Sequence, residues 1–253
     1  MKTLTPREIL LLLAALALLL LAVLAPPLAQ PGYYHHFAEQ RTWRGIPHPL
    51  DVLSNLPFAL LGAAGLVLLR RVPAPRLARA TRALTALSFA GLLCTAMCSA
   101  WYHWRPDDAG LAVDRLGMTV AFAGLLGLAT ADRLSARAGV GVALAVLLLG
   151  PLSVWVCAVS GNVLPWALLQ GGGMALLLAL AFLPPVPGAL AIRWGSVIGL
   201  YALAKAFELG DHLVYDASAQ LVSGHSLKHV LAALAAWPIL GAVRALGQNA
   251  RQS

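Results

Sequence analysis

Long apolar runs follow one another along almost the whole chain, with short polar connections between them. Eight runs can be placed, near residues 9–26, 51–70, 83–104, 111–131, 139–159, 163–183, 190–209 and 224–244. Each is close to the ~20 residues that a helix needs to cross the hydrocarbon core of a bilayer. An open sheet cannot satisfy its backbone in lipid, and a barrel would show short alternating strands, so all eight are predicted to be helices. The predicted fold class is all-α, a polytopic membrane protein with a seven-helix transmembrane bundle plus one extra N-terminal hydrophobic segment.

Composition excludes the soluble alternatives. Of the 253 residues, 60% are hydrophobic and only 11% are charged, and the mean hydropathy is +0.78. Globular domains carry about 25% charged residues, so this chain cannot cover a water-facing surface. The three cysteines, Cys94, Cys98 and Cys157, lie inside apolar runs. They are therefore predicted to be small buried hydrophobic residues and not disulfide partners.

Much of the net charge of +8 lies in one connection between apolar runs, and this position indicates which surface the charge faces. Five arginines lie between the second and third runs: Arg70, Arg71, Arg76, Arg79 and Arg82. Such a cluster is typical of a cytoplasmic loop that faces anionic headgroups, so no nucleic-acid partner is predicted. Alternate crossings then place the connections at 132–138 and 184–193 in the cytoplasm, and those at 105–110, 160–162 and 210–223 outside. The Ala/Leu/Arg-rich composition indicates a multi-pass protein of a bacterial inner membrane.

Four regions are predicted along the chain. Residues 1–30 form an N-terminal hydrophobic segment that is either an uncleaved anchor or a signal peptide, because basic residues precede it and small residues follow it. Residues 31–50 form an extracytoplasmic loop. Residues 51–245 form the seven-helix membrane domain, and residues 246–253 form a cytoplasmic tail.

A few ionisable or polar side chains interrupt the apolar runs, where they are costly and therefore indicate function. Ser99 and His103 are four residues apart, on one face of the third helix. Asp114 follows just inside the next run, and His225 and His229 repeat the four-residue spacing in the last one. The predicted topology brings these residues to within about two turns of the extracytoplasmic face. Three imidazoles would leave one open position on a tetrahedral zinc ion, as in catalytic sites.

Simpler interpretations of the same residues stay open. The two histidines of the last run could bind water and headgroups at the membrane interface. Ser99 could be a hydroxyl that serves helix packing, and Asp114 could form a local charge pair with Arg115. Lys205 and Glu208 are interpreted as a snorkelling lysine and an acid at a helix end.

The spacing of these residues resembles that of a known family. The motifs are Ser99-x-x-x-His103, then Asp114 eleven residues later, then His225-x-x-x-His229 in the last span. They resemble the alkaline ceramidases, which are seven-span membrane hydrolases in a superfamily that also contains the adiponectin and progestin receptors. Asp51-Val-Leu-Ser-Asn55-Leu-Pro-Phe is similar to the first-span motif of that family, and the resemblance covers about residues 45–245.

This resemblance implies an intramembrane amidase that hydrolyses the N-acyl bond of ceramide or a related lipid amide, giving a free fatty acid and a long-chain amine. His103, His225 and His229 would hold Zn²⁺. Asp114 would orient the attacking water and accept its proton, and Ser99 would donate a hydrogen bond to the oxyanion. The partner implied is a membrane lipid.

The chain also departs from the family. Eukaryotic ceramidases carry an acidic calcium-binding segment before the first core span, whereas Glu39 is the one acid of residues 33–50, so a Ca²⁺ site is not expected. Two other classes of membrane protein would use the same histidines and aspartate. A receptor-like protein would use zinc for structure, and a zinc or proton transporter would need a polar path across the bilayer. The cytoplasmic halves of these runs are nearly all apolar, which disfavours transport.

Overall fold

The structure is a computed structural model that describes residues 3–249. Within that range it contains eleven α-helices, a 3-10 helix at Ala74–Arg76 and one hairpin of two-residue strands. The helices are α1 (Pro6–Leu24), α2 (Pro49–Leu53), α3 (Leu56–Arg71), α4 (Arg79–Trp104), α5 (Asp108–Arg133), α6 (Ala136–Ser160), α7 (Leu164–Ala181), α8 (Trp194–Leu209), α9 (Asp211–Ala217), α10 (Gly224–Leu234) and α11 (Trp237–Asn249). The hairpin pairs β1 (Thr42–Trp43) with β2 (Ile46–Pro47) in antiparallel register.

The all-α membrane fold is confirmed. Within residues 3–249, seven helical stretches are long and apolar enough to cross a bilayer, the N-terminal one included. Two of them are composite, because α2 continues into α3 and α10 continues into α11. The predicted tail at 246–253 begins inside α11, and its residues 250–253 lie outside the described range.

The run predicted near 190–209 forms a shorter helix than expected. Only α8 is helical there, and its 16 residues give a length of about 24 Å. The preceding segment is held in a loop by the buried carboxylate of Asp132, which accepts hydrogen bonds from Leu190 N at 2.9 Å and from Trp194 Nε1 at 2.8 Å. Gly188 and Ala191 have positive φ values in the same loop. Hydropathy does not register these backbone constraints, so the sequence placed the helix start too early.

Helices α4 and α5 lie in direct backbone contact, and small residues permit this approach. A Cβ atom added to Gly91 would lie 2.3 Å from Ala121 Cα, and one added to Gly124 would lie 2.3 Å from Ser88 N. The connection between the two helices is short, and Asp107 caps α5 by accepting from Gly110 N at 2.7 Å. The close antiparallel pair therefore places the end of α4 beside the beginning of α5.

The N-terminal helix α1 is fastened to the rest of the protein at both ends. Glu8 is buried and accepts hydrogen bonds from Ser135 Oγ at 2.7 Å and Arg137 Nε at 2.8 Å. Beyond the other end of α1, Leu28 O accepts from Val163 N at 2.8 Å. In this structure α1 is thus attached to the rest of the protein at its two ends, while most of its residues are exposed.

Candidate metal centre

Three histidines from two distant parts of the chain converge at one end of the helical bundle. His103 lies in the last turn of α4, and His225 and His229 lie one turn apart on α10. Each ring offers a nitrogen within 4.8 Å of the others, and the ring centroids are 4.7–4.9 Å apart. All three side chains are buried. The structure therefore brings together the three residues that the sequence predicted to be metal ligands.

The spacing of two of these nitrogens suits a tetrahedral metal ion. Nε2 of His103 and Nε2 of His225 are 3.2 Å apart. Zn–N bonds of 2.0–2.1 Å at tetrahedral angles place two ligand nitrogens about 3.3–3.4 Å apart. Two unprotonated imidazole nitrogens at this distance would repel each other unless a proton or a cation lay between them. The donor set thus fits a metal that prefers nitrogen ligands.

The ring of His229 is oriented by a hydrogen-bond chain from α2. Ser54 Oγ donates to Asp51 O at 3.0 Å and lies 2.8 Å from His229 Nδ1. Because the serine proton is already engaged, the network assigns the proton of this second bond to Nδ1. That tautomer leaves the Nε2 lone pair of His229 free for a metal. His103 Nδ1, by contrast, has no hydrogen-bond partner among residues 3–249.

The start of α10 is held by two carboxylates from elsewhere in the chain, of which that of Asp51 is buried. Asp51 Oδ1 accepts from the hydroxyls of Ser223 at 2.8 Å and Ser226 at 2.6 Å. Asp211 Oδ1 accepts from His225 N at 2.8 Å. Negative charge at a helix N-terminus complements the helix dipole, so these contacts fix the helix that carries two of the three histidines. Ser54 and Asp51 lie in the first-span motif, but sequence analysis did not place either of them in the site.

A lysine that sequence analysis did not select also reaches the site. Lys228 Nζ lies 3.1 Å from His225 Nε2 and 2.8 Å from Glu208 Oε1. Glu208 is also bonded to Lys205. Glu208, which was interpreted from the sequence as an acid at a helix end, therefore pairs with two ammonium groups. One of these groups contacts a nitrogen that a metal would require.

The two predicted catalytic residues lie next to each other at this site. Ser99 and Asp114 are buried, and their side chains lie within interaction distance of each other. Asp114 Oδ1 has no hydrogen-bond partner among the described residues. Asp114 also interacts electrostatically with Lys228, which contacts His225. The close contact of α4 with α5 brings Ser99 and Asp114 together.

The segment before α2 covers the histidines. The Phe37 ring lies 4.7 Å from the rings of both His103 and His225. Nearby, the carboxylate of Glu39 is buried and bonded to Arg41, which donates from its main-chain N at 3.0 Å and from Nε at 2.7 Å. Burial alone would raise the pKa of Glu39, but the hydrogen bonds and charge of Arg41 outweigh it and lower the pKa.

An apolar cavity of about 120 Å³ lies within the helical bundle. Phe58 lines it and also contacts the His229 ring at 6.3 Å between centroids. Thr95, one turn before Ser99 on α4, lines it as well. Apart from Ser88, the other lining residues are hydrophobic side chains of six helices, among them Phe89, Leu92, Met118, Phe122, Met174 and Ile239. The cavity can hold hydrocarbon but offers few groups to bind a polar solute.

Comparison of the chain with protein-family models, with curated proteins and with solved structures found no match.

Proposed function

We propose that this protein is an intramembrane zinc-dependent hydrolase that cleaves the amide bond of an N-acyl lipid such as ceramide. The products would be a free fatty acid and a long-chain amine. One observation carries the proposal: three buried histidines converge within 4.8 Å of one another inside a membrane protein. The resemblance of the motifs to alkaline ceramidases supports the same reaction.

His103, His225 and His229 would hold the zinc ion, since three imidazoles are a frequent ligand set for catalytic zinc and leave one position open. When bound, zinc would lower the pKa of a coordinated water and polarise a carbonyl group. Ser54 would keep His229 in the tautomer that can bind the ion.

Asp114 is the group best placed to accept a proton. Its Oδ1 has no partner among the described residues, so it can accept a proton from an attacking water and later return it to the leaving amine. Ser99 would donate its hydroxyl to the carbonyl oxygen as negative charge develops there. Phe37 lies over the histidines and would limit the access of bulk water, which strengthens both interactions.

The apolar cavity supports a lipid substrate. Its walls are hydrocarbon and aromatic, and it reaches Phe58 beside His229. An acyl chain placed there would present its amide to the three-histidine site while remaining in an apolar environment. A water-soluble amide would gain nothing from this surface.

We further propose that the site faces the extracytoplasmic side of a bacterial inner membrane. The support is the arginine-rich connection between α3 and α4, which lies at the opposite end of α4 from His103. Positively charged connections favour the cytoplasm.

The proposal is tested with purified, zinc-loaded protein and a panel of N-acyl lipids, with and without a zinc chelator. We expect chelator-sensitive release of fatty acid. Ser99→Ala should lower the rate roughly 10²–10³-fold and Asp114→Asn roughly 10²–10⁴-fold, and both should keep their zinc. Ser153→Ala, which removes a buried hydroxyl bonded within its own helix, serves as the control. A zinc-loaded wild type that hydrolyses none of the lipids would overturn the proposal and favour a structural zinc.

A further inference from the structure

Arg115 is a buried cation that no carboxylate of residues 3–249 contacts, although the Asp114 carboxylate interacts with it electrostatically. It lies on α5, and 3% of its surface is exposed. Nη1 donates to Cys157 Sγ at 3.2 Å, while Nε and Nη2 have no hydrogen-bond partner among residues 3–249. The charge pair with Asp114 that the sequence suggested does not form, because no carboxylate of the described residues lies within 4.0 Å of the guanidinium.

An arrangement of this kind is costly, since arginine stays charged and a buried charge without a contacting counter-ion is destabilising. Other arginines of the described residues have clear acceptors. Arg82 donates to main-chain carbonyls, Arg133 pairs with Asp132, and Arg137 pairs with Glu8. Arg115 therefore stands apart as a donor group whose acceptor is not supplied by the described part of the chain.

The two unpaired donors define the shape of the missing acceptor. Nε–H and one Nη2–H lie side by side on one edge of the guanidinium, and this edge binds two oxygens of a phosphate or carboxylate. The ring of Tyr34 lies 5.4 Å from the guanidinium carbon and that of Trp166 lies 5.7 Å from it. Aromatic rings at this distance stabilise the cation but cannot neutralise it.

The position of the guanidinium indicates which kind of molecule supplies that anion. Its contacts Cys157 and Trp166 lie within one turn of the end of α6 and the start of α7, respectively. One turn is about 5 Å, so the guanidinium lies close to the ends of these helices, at the level where headgroups meet hydrocarbon. Phosphate is the oxyanion that phospholipid headgroups place at this depth.

We propose that Arg115 is the anion-binding residue of a lipid-headgroup site between α5, α6 and α7, and that its Nε–Nη2 edge binds the headgroup phosphate. Tyr34 covers the guanidinium and is 39% exposed, so its displacement would open the site from the extracytoplasmic end. The site does not depend on the proposed hydrolase activity, because a receptor or a structural protein could hold a lipid in the same way.

The test measures lipid binding, not turnover. Purified protein in a neutral detergent is titrated with dioctanoyl phosphatidic acid, with dioctanoylglycerol, which lacks the phosphate, and with inorganic phosphate and octanoate. We expect the wild type to bind phosphatidic acid at least tenfold more tightly than dioctanoylglycerol, and to gain thermal stability from it. Arg115→Lys keeps the charge but loses the two-donor edge, so most of this preference should disappear. Arg105→Lys is the matched control, since the Arg105 side chain is 65% exposed and pairs with Asp107.

Two results would overturn the proposal. One is a wild type that does not distinguish phosphatidic acid from dioctanoylglycerol, a measurement that needs no variant and so does not depend on the folding of Arg115→Lys. The other is binding of inorganic phosphate or octanoate as tight as that of phosphatidic acid, which would assign the site to a free anion. Loss of amide hydrolysis by itself would leave the binding result unchanged, so the two proposals can fail separately.

Discussion

Ser54→Ala tests whether the three histidines are built to bind a metal. The substitution removes the oxygen that lies 2.8 Å from His229 Nδ1 and that donates to Asp51 O at 3.0 Å. His229 is buried, so its Nδ1–H would lose its serine acceptor at a position shielded from bulk water. The ring would then be free to adopt the other tautomer, in which Nε2 carries the proton and cannot bind a metal.

The size of the effect follows from this geometry. Loss of an outer hydrogen bond to a metal-binding histidine lowers metal affinity by roughly 10–100-fold, which corresponds to about 1.4–2.7 kcal/mol. The carbonyl of Asp51 also lies within hydrogen-bonding reach of the His229 ring and can replace the serine in part. We therefore expect a loss near the lower end of this range, about tenfold.

Zinc affinity is measured by equilibrium competition with a chelator of known affinity, on wild type and variants in the same detergent. Ser153→Ala is the matched control, because Ser153 is also a buried serine but its hydroxyl bonds only to Gly150 O, at 2.7 Å. We expect the control to bind zinc as the wild type does. An affinity of Ser54→Ala within twofold of the wild type, or an equal loss in Ser153→Ala, would refute the argued role of the hydrogen-bond chain.

Three further predictions concern the ligands, the packing and the covering loop. The wild type should hold close to one zinc per chain by elemental analysis, and the double variant His225→Ala/His229→Ala should lose most of it, because a single imidazole cannot retain the ion. Undiminished zinc would contradict this assignment. Gly91→Val should cost about 1–3 kcal/mol through overpacking against α5, seen as a lower melting temperature, whereas Gly141→Val, whose added Cβ meets nothing within 4 Å, should melt near the wild type. Glu39→Gln should lower the melting temperature at neutral pH, and the difference should shrink in acid. The pKa of Glu39 is lowered in the folded state, so its contribution to stability is present above the ordinary pKa and is lost as the pH falls through the folded one; a difference constant with pH would contradict this.

The sequence by itself determined the helical membrane fold and the identity of the three histidines. Apolar runs of about 20 residues leave few alternatives in lipid, where each backbone group must be satisfied inside its own segment. Imidazole pairs four residues apart project from one face of a helix whatever its neighbours are. The pairing of Ser99 with Asp114 could also be anticipated, because both lie next to a short connection between successive helices.

The tertiary structure alone decided which side chains hydrogen-bond to the histidines and which charged groups lie beside them. Ser54 reaches His229 across 175 residues and Lys228 meets Glu208 across 20, and hydropathy carries no information on which side chains face each other between helices. The length of α8 was set by buried hydrogen bonds to Asp132, which override the apolar character of the preceding residues. The unpaired edge of Arg115 is also visible only in the tertiary structure. A sequence shows that a cation is present, but only the packing around it shows whether an anion lies in contact with it.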